Sequence, residues 1–156
     1  MRVGLGFDVH AFAEGRQLVL GGVIIPSQKG LRGHSDGDVL LHAISDAILG
    51  AAVDGDIGLH FPDTDESIKD IESGKILTHV VGRARAKGFS VVNVDAVIIC
   101  EAPRIAPYRD QLREHIASLL SIDMERVNLK GKTAEGLGFL GNGSGIAAYA
   151  VCLLAE

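Results

Sequence analysis

Near its start the chain reads Arg2-Val3-Gly4-Leu5-Gly6-Phe7-Asp8-Val9-His10, with apolar residues alternating with glycine or polar ones throughout. This is the period of an extended strand, whose successive side chains point to opposite faces. One face carries Val3, Leu5, Phe7 and Val9, and the other carries Gly4, Gly6, Asp8 and His10. The two glycines leave the second face bare, open to close approach by another backbone or by a ligand. Whatever packs there meets a carboxylate and an imidazole projecting from the same side.

A second segment supplies a third ligand-type side chain. Ser35-Asp36-Gly37-Asp38 has the Ser-x-x-acid form of a capping box, and Val39, Leu40, Ala43, Ile44, Ala47, Ile48 and Ala51 follow at helical spacing. His42 falls off this apolar stripe, stacked between Asp38 and Asp46. A helix beside the first strand brings His42 to Asp8 and His10, with Asp38 or Asp46 expected to orient its ring. Two imidazoles and one carboxylate leave a fourth tetrahedral position for water or a substrate oxygen, the pattern of a catalytic zinc site rather than a structural one. A solvated Asp-x-His pair and a hydrogen-bonded helical histidine are the plain alternative at this point.

The rest of the chain predicts a mixed architecture. Leu18 to Leu20, Gly21-Gly22 and Val23 to Ile25 read as a tight hairpin ended by Pro26. Asp54 to Asp65, dense in Gly, Asp and Pro, reads as a long loop of the kind that carries function. A helix is expected from near Ser73 to Lys87, with Ile76, Leu77, Val80, Val81 and Ala84 inward and Gly88 as its stop. Val91 to Cys100 reads as a buried strand, Tyr108 to Leu120 as a helix after Pro107, and Val127 to Lys132 and Ile146 to Leu154 as closing strands. The prediction is an α/β (α+β) fold, a single domain over residues 1–156 with a mixed β-sheet and its helices packed on one face. The last strand is apolar on both faces, which points to burial against other copies in a symmetric oligomer.

Charge narrows the functions. The net charge is −5 with no basic block and only 4% aromatic residues, so nucleic acid is not an expected partner. An acidic protein that handles a phosphorylated substrate needs bound cations to supply positive charge. Cys100 and Cys152 read as buried thiols. With no targeting segment and no membrane-length apolar run, no membrane partner is expected and a reducing cytoplasm is the expected setting.

Other motifs are polar and ordered. His34-Ser35-Asp36-Gly37-Asp38 places an imidazole and a hydroxyl at a helix N-terminus, where backbone donors favour anions. Gly55-Asp56-Ile57-Gly58 offers a carboxylate and exposed backbone near Phe61-Pro62-Asp63-Thr64-Asp65. Lys130 to Gly138 resembles a phosphate loop in composition, without the Walker spacing, and places Thr133 and Glu135 at a strand end as candidate phosphate and cation contacts. Two readings follow from the residues alone: a zinc phosphodiesterase using metal-bound water, and a non-catalytic oligomeric metal-binding protein.

Together with Ala102-Pro103 and Thr133 to Phe139, these segments make the whole chain resemble the 2-C-methyl-D-erythritol 2,4-cyclodiphosphate synthase family of the non-mevalonate isoprenoid pathway. The resemblance implies a homotrimer with active sites between subunits. It implies zinc on Asp8, His10 and His42, and magnesium or manganese on Glu135 and the substrate phosphates. The implied substrate is a cytidine diphosphate compound, 4-diphosphocytidyl-2-C-methyl-D-erythritol 2-phosphate, whose 2-phosphate attacks the β-phosphorus and expels CMP.

The resemblance also assigns roles. His34 and Thr133 match transition-state-stabilising positions, with Ser35 assisting, and Asp8-Val9-His10 touches substrate. Asp56, Ile57 and Gly58 correspond to the ribose contacts. Cys100, Glu101, Ala102, Pro103, Arg104, Ile105 and Ala106 correspond to a cytosine pocket read largely by main-chain groups. Phe61, Pro62, Asp63, Thr64, Asp65 and Phe139 correspond to the part that holds the methylerythritol phosphate, and Lys132, Thr133, Ala134 and Glu135 to the phosphate-side loop. Many members carry Thr where this chain has Lys132, and Thr or Asn where it has Ala134. Some carry Arg and Glu where it has Asn142 and Tyr149, so binding of an isoprenoid diphosphate on the threefold axis is not carried over.

Overall fold

The computed structural model describes residues 1–156. In chain order it has β1 (Arg2–Ala13), β2 (Leu18–Leu20), β3 (Val23–Ile25), β4 (Gly30–Leu31), α1 (Val39–Ala51), the one-turn α2 (Ile57–His60) and α3 (Ser73–Ala86). There follow β5 (Ser90–Ile99), α4 (Arg109–Leu120), β6 (Val127–Lys132), the one-turn α5 (Gly138–Gly141) and β7 (Gly145–Ala155). Five strands form one mixed sheet in the order β4-β1-β7-β5-β6. β7 pairs antiparallel with both β1 and β5, and only β5 and β6 run parallel. β2 and β3 form the expected hairpin as a separate ribbon, turning through Gly21 and Gly22 at φ 57° and 76°, the conformation a two-residue turn needs.

The bare face of β1 is filled by main chain. A Cβ built on Gly4 would lie 1.8 Å from the Ala47 carbonyl oxygen, and one on Gly6 1.9 Å from that of Ala43. α1 therefore lies flush on β1, and is buried on nearly every side, as expected of a helix apolar all round. α3 packs over it through Ile76, Leu77, Val80, Val81 and Ala84, and α4 adds Leu112, Ile116, Ala117 and Leu120. The core thus sits between the sheet and helices on one face, as predicted.

The other face of the sheet is uncovered. Val3 and Leu5 on β1 are 69% and 67% exposed, Phe7 and Val9 are also open, and Tyr149 and Val151 on β7 are 42% and 43% exposed. The apolar row of the first strand thus points away from the core. Phe7 packs on Tyr149 there, with ring centroids 4.6 Å apart.

Some local expectations are corrected. Ser35 does not cap α1: the N-cap is Asp38, whose Oδ1 accepts the Leu41 N–H at 3.0 Å. Gly37, at φ 77°, turns the chain between them, and Ser35 Oγ accepts the Gly37 N–H at 3.1 Å instead. The expected loop at Asp54 to Asp65 contains α2, and a 3-10 turn at Glu66–Ile68 follows it. A second 3-10 turn, Ala106–Tyr108, precedes α4. No helix is long and apolar enough to cross a membrane.

Candidate functional site

Flush packing of α1 on Gly4 and Gly6 brings His42 to the next two residues of the same face of β1. Asp8 Oδ2 lies 2.9 Å from both His10 Nε2 and His42 Nδ1, and the two nitrogens are 3.2 Å apart. The three ligand atoms all lie within 4.8 Å of one another. Zinc bonds of about 2.0–2.1 Å in a tetrahedron set ligands about 3.3 Å apart, so the triangle is close to the required size. Two ring nitrogens and one carboxylate oxygen converging at this spacing are a nitrogen and oxygen donor set that a divalent cation accepts together. The donor set fits a metal. Burial works against ionisation of Asp8, yet hydrogen bonds from His10 and His42 and their charge hold its carboxyl well below the usual range. Burial likewise opposes charge on His42, and the Asp8 hydrogen bond and charge overcome it and raise its pKa.

The partners that orient His42 differ from those expected. Asp38 is fully buried and accepts the N–H groups of Leu41, Gly21 and Gly22. Asp46 accepts the Ile57 N–H at 2.8 Å and so anchors the start of α2. Neither is hydrogen-bonded to the ring. Its Nε2 instead lies 3.1 Å from Ser35 Oγ and 3.0 Å from Ser73 Oγ. Ser73 in turn donates its hydroxyl to Asp36 Oδ1 and its N–H, at 3.0 Å, to Asp36 Oδ2. Sequence reasoning missed Ser73 and Asp36, because Ser73 is 31 residues from His42 and looks only like a helix start. It also missed Arg16, which donates to the carbonyls of Gly33 at 3.1 Å and Ser35 at 2.5 Å and holds that loop in place.

The triad opens into a cavity of about 300 Å³. Of the predicted residues, Asp8, His10, His34, Ser35, His42, Ile57, Gly58, Phe61 and Asp63 line it, joined by Ile68, Ile71 and Ile76, which were not predicted. His34 Nε2 is buried without a hydrogen-bond partner in the chain, so it has a bonding position to offer. Asp56, Pro62, Thr64 and Asp65 are not in the lining. Asp56 caps α2 by accepting the Leu59 N–H at 2.9 Å, and Asp65 accepts from Ser67 N–H and Oγ at 2.9 and 2.6 Å. Val9 points to the open face of the sheet, opposite Asp8 and His10.

A second cleft, about 560 Å³, lies between the end of β5, the loop after it, and β6. Cys100, Glu101, Pro103, Arg104, Ile105, Ala106, Lys132 and Thr133 line it as a group, and Arg109, Asn128 and Lys130 add polar groups not anticipated. Burial pushes the Cys100 thiol up to about 11, and it donates to the Pro103 carbonyl at 3.3 Å. Ala102, Ala134, Glu135 and Phe139 line neither space. Glu101 Oε1 accepts the Ala134 N–H at 2.8 Å, and Thr133 Oγ1 donates to Glu135 Oε1 at 2.9 Å. Glu135 itself sits at φ 53°, a left-handed conformation that is uncommon for a residue with a side chain. The two spaces share no lining residue, so within one chain Thr133 and Glu135 are not brought to the triad.

Both the sequence and the fold match known proteins. The YgbB family matches residues 1–155. The 2-C-methyl-D-erythritol 2,4-cyclodiphosphate synthase of Rubrobacter xylanophilus is 60% identical, covering 98% of this chain and 94% of that one. A solved structure of 2C-methyl-D-erythritol-2,4-cyclodiphosphate synthase in a CDP-bound form superimposes with a TM-score of 0.91 at 38% identity, covering 99% of this chain and all of that one. The bifunctional IspDF from Campylobacter jejuni gives a TM-score of 0.95 at 42% identity over 98% of this chain, which spans 42% of that longer one. With a full-length family match, high identity and a shared fold, the chain belongs to the YgbB family, alongside proteins named 2-C-methyl-D-erythritol 2,4-cyclodiphosphate synthase.

Proposed function

We propose that this chain, as one domain over residues 1–156, is a cyclodiphosphate synthase of the non-mevalonate pathway. It converts 4-diphosphocytidyl-2-C-methyl-D-erythritol 2-phosphate to 2-C-methyl-D-erythritol 2,4-cyclodiphosphate and CMP, which makes it a phosphorus–oxygen lyase. The observation that carries the reading is the Asp8–His10–His42 triangle opening on a cavity beside the unpartnered His34 Nε2, in a chain of this family.

Zinc is the ion proposed for the triad, where it supplies a Lewis acid for a phosphoryl oxygen. Nucleophile and electrophile belong to one molecule, so the residues have mainly to fold the substrate back and neutralise crowded phosphates. No protein nucleophile is needed. His34 donates from Nε2 to a phosphoryl oxygen, and Ser35 assists beside it. Ile57 and Gly58 receive the ribose, with Asp56 shaping that turn as the cap of α2. Phe61 to Asp65 and Phe139 hold the methylerythritol phosphate, and Asp8 and His10 touch the substrate with Val9 contributing only main chain.

In the second cleft, main-chain groups from Cys100 to Ala106 read cytosine, in keeping with the CDP of the solved relative. Glu135 holds magnesium or manganese together with substrate oxygens, a shell such cations accept. Thr133 stabilises the transition state there, while Lys132 adds charge and Ala134 a backbone N–H already fixed by Glu101. Because one chain keeps the two spaces apart, the complete site is proposed to form between neighbouring subunits of a homotrimer built on the open apolar face of the sheet. Cys100 and Cys152 suit a reducing cytoplasm: Cys152 pairs with Val94, six residues from Cys100 and thus about 20 Å away along the strand, too far for a disulfide.

Purified protein given the cytidyl substrate, zinc and magnesium is expected to release CMP and cyclic diphosphate in equal amounts. Linear phosphate products carrying solvent oxygen would reject cyclisation in favour of hydrolysis.

A further inference from the structure

Behind His42 lies a buried chain of donors and acceptors formed by Asp36, Ser73 and Ser35. Ser73 is fully buried and Ser35 nearly so, and each hydroxyl has one proton to give. An ionised Asp36 only accepts, and its two oxygens take the hydroxyl and the backbone N–H of Ser73. With that proton committed, Ser73 Oγ presents only lone pairs to the ring 3.0 Å away. The ring must therefore donate from Nε2. The opposite tautomer would turn a lone pair at Nε2 toward lone pairs on Ser73. Ser35 Oγ accepts from Gly37 N–H at 3.1 Å and lies 3.4 Å from Ser73 Oγ, so its proton can point to Ser73 and need not oppose the ring.

We propose that Ser73, polarised by Asp36, is a positioning residue that locks the neutral His42 ring in its Nε2–H tautomer, which leaves the Nδ1 lone pair to the ion beside Asp8 and His10. The relay is carboxylate, hydroxyl, imidazole, ion. In it a serine is interposed where metal-bound histidines commonly meet a carboxylate directly. The proposal rests on the reading that the triad binds zinc. Asp36 has a second task, since its Oδ2 also holds the first N–H of α3. Changing Asp36 would thus disturb a helix start, whereas Ser73→Ala removes only the hydroxyl and keeps that backbone bond.

The test uses the full chain and zinc alone, with affinities measured by competition against a chromogenic chelator. Ser73→Ala is expected to bind zinc about tenfold to a hundredfold more weakly than the unaltered protein, while Ser73→Thr restores binding and Ser35→Ala changes it far less. In zinc-loaded protein with 15N-labelled histidine, the His42 Nε2–H resonance should be slowly exchanging, and in Ser73→Ala it should be lost to exchange, with circular dichroism unchanged. Unchanged affinity or an unchanged Nε2–H signal in Ser73→Ala overturns the proposal, as does an equal loss in Ser35→Ala. If the unaltered protein binds zinc no better than Asp8→Asn, the metal reading itself fails, and that outcome is told apart because it needs no Ser73 variant.

Discussion

Asp38 ties three strands of logic into one buried carboxylate: it caps α1 and accepts the N–H groups of both turn glycines, Gly21 at 3.0 Å and Gly22 at 2.6 Å. Asn in its place keeps one acceptor oxygen and sets an NH₂ against a backbone N–H. Asp38→Asn is therefore expected to cost about 1–3 kcal/mol, the penalty of an unsatisfied buried group, read from the urea midpoint. Zinc affinity should change little, because Asp38 makes no hydrogen bond to His42. His34→Ala should behave in the opposite way, lowering CMP release by about a hundredfold or more, as for other lost transition-state donors, with zinc content retained by elemental analysis. At this scale the clustering of Asp8, His10 and His42 was legible from residue type and spacing, whereas the role proposed for His34 came from the resemblance to the family. Asp36 and Ser73 were not legible, because their roles depend on a long-range approach of α3 to the loop before α1 that no local pattern encodes.

Among the elements, the contact of α1 with β1 is the most exacting. Gly6→Ala would drive a Cβ into the Ala43 carbonyl, and main chain cannot rotate away. The expected result is destabilisation at or above the ~1–3 kcal/mol of ordinary overpacking, with weaker zinc binding as His42 shifts from Asp8, measurable by melting and chelator competition. A second junction joins the end of α1 to α3. Asp54 accepts from Arg83 Nε at 2.5 Å and Nη2 at 3.2 Å and pairs with Lys87 Nζ at 2.6 Å. Those hydrogen bonds and charges hold its carboxyl below its usual value of 3.8. A carboxyl lowered in the folded state adds stability that is fully present above its unfolded pKa and lost as pH falls below it. Unfolding midpoints from pH 5 downward should thus fall more steeply for the unaltered protein than for Arg83→Met. Long periodic elements such as β1, α3 and the hairpin were legible. The cap was misread because Ser-x-x-acid fits both a capping box and a glycine turn, and α2, at one turn, is too short to show a period.

For the whole molecule, the uncovered sheet face is the decisive feature. An apolar row of Val3, Leu5, Phe7 and Val9 beside Tyr149 and Val151 is the kind of contiguous patch that marks an interface. Leu5→Lys is expected to prevent assembly, seen as a lower mass in sedimentation, and to abolish CMP release while each chain still binds zinc. The apolar character of the last strand was legible, but the larger share of the open patch, supplied by β1, became evident only once its glycine side was seen to face α1. That same glycine side governs how far apart Asp8, His10 and His42 sit. Peptide planes resting on peptide planes have no rotamers to sample, so the separation of β1 and α1 that sets this cradle is fixed by main-chain contact rather than by side-chain packing. Warming should loosen the isoleucine lining of the cavity long before it widens the Asp8–His10–His42 triangle.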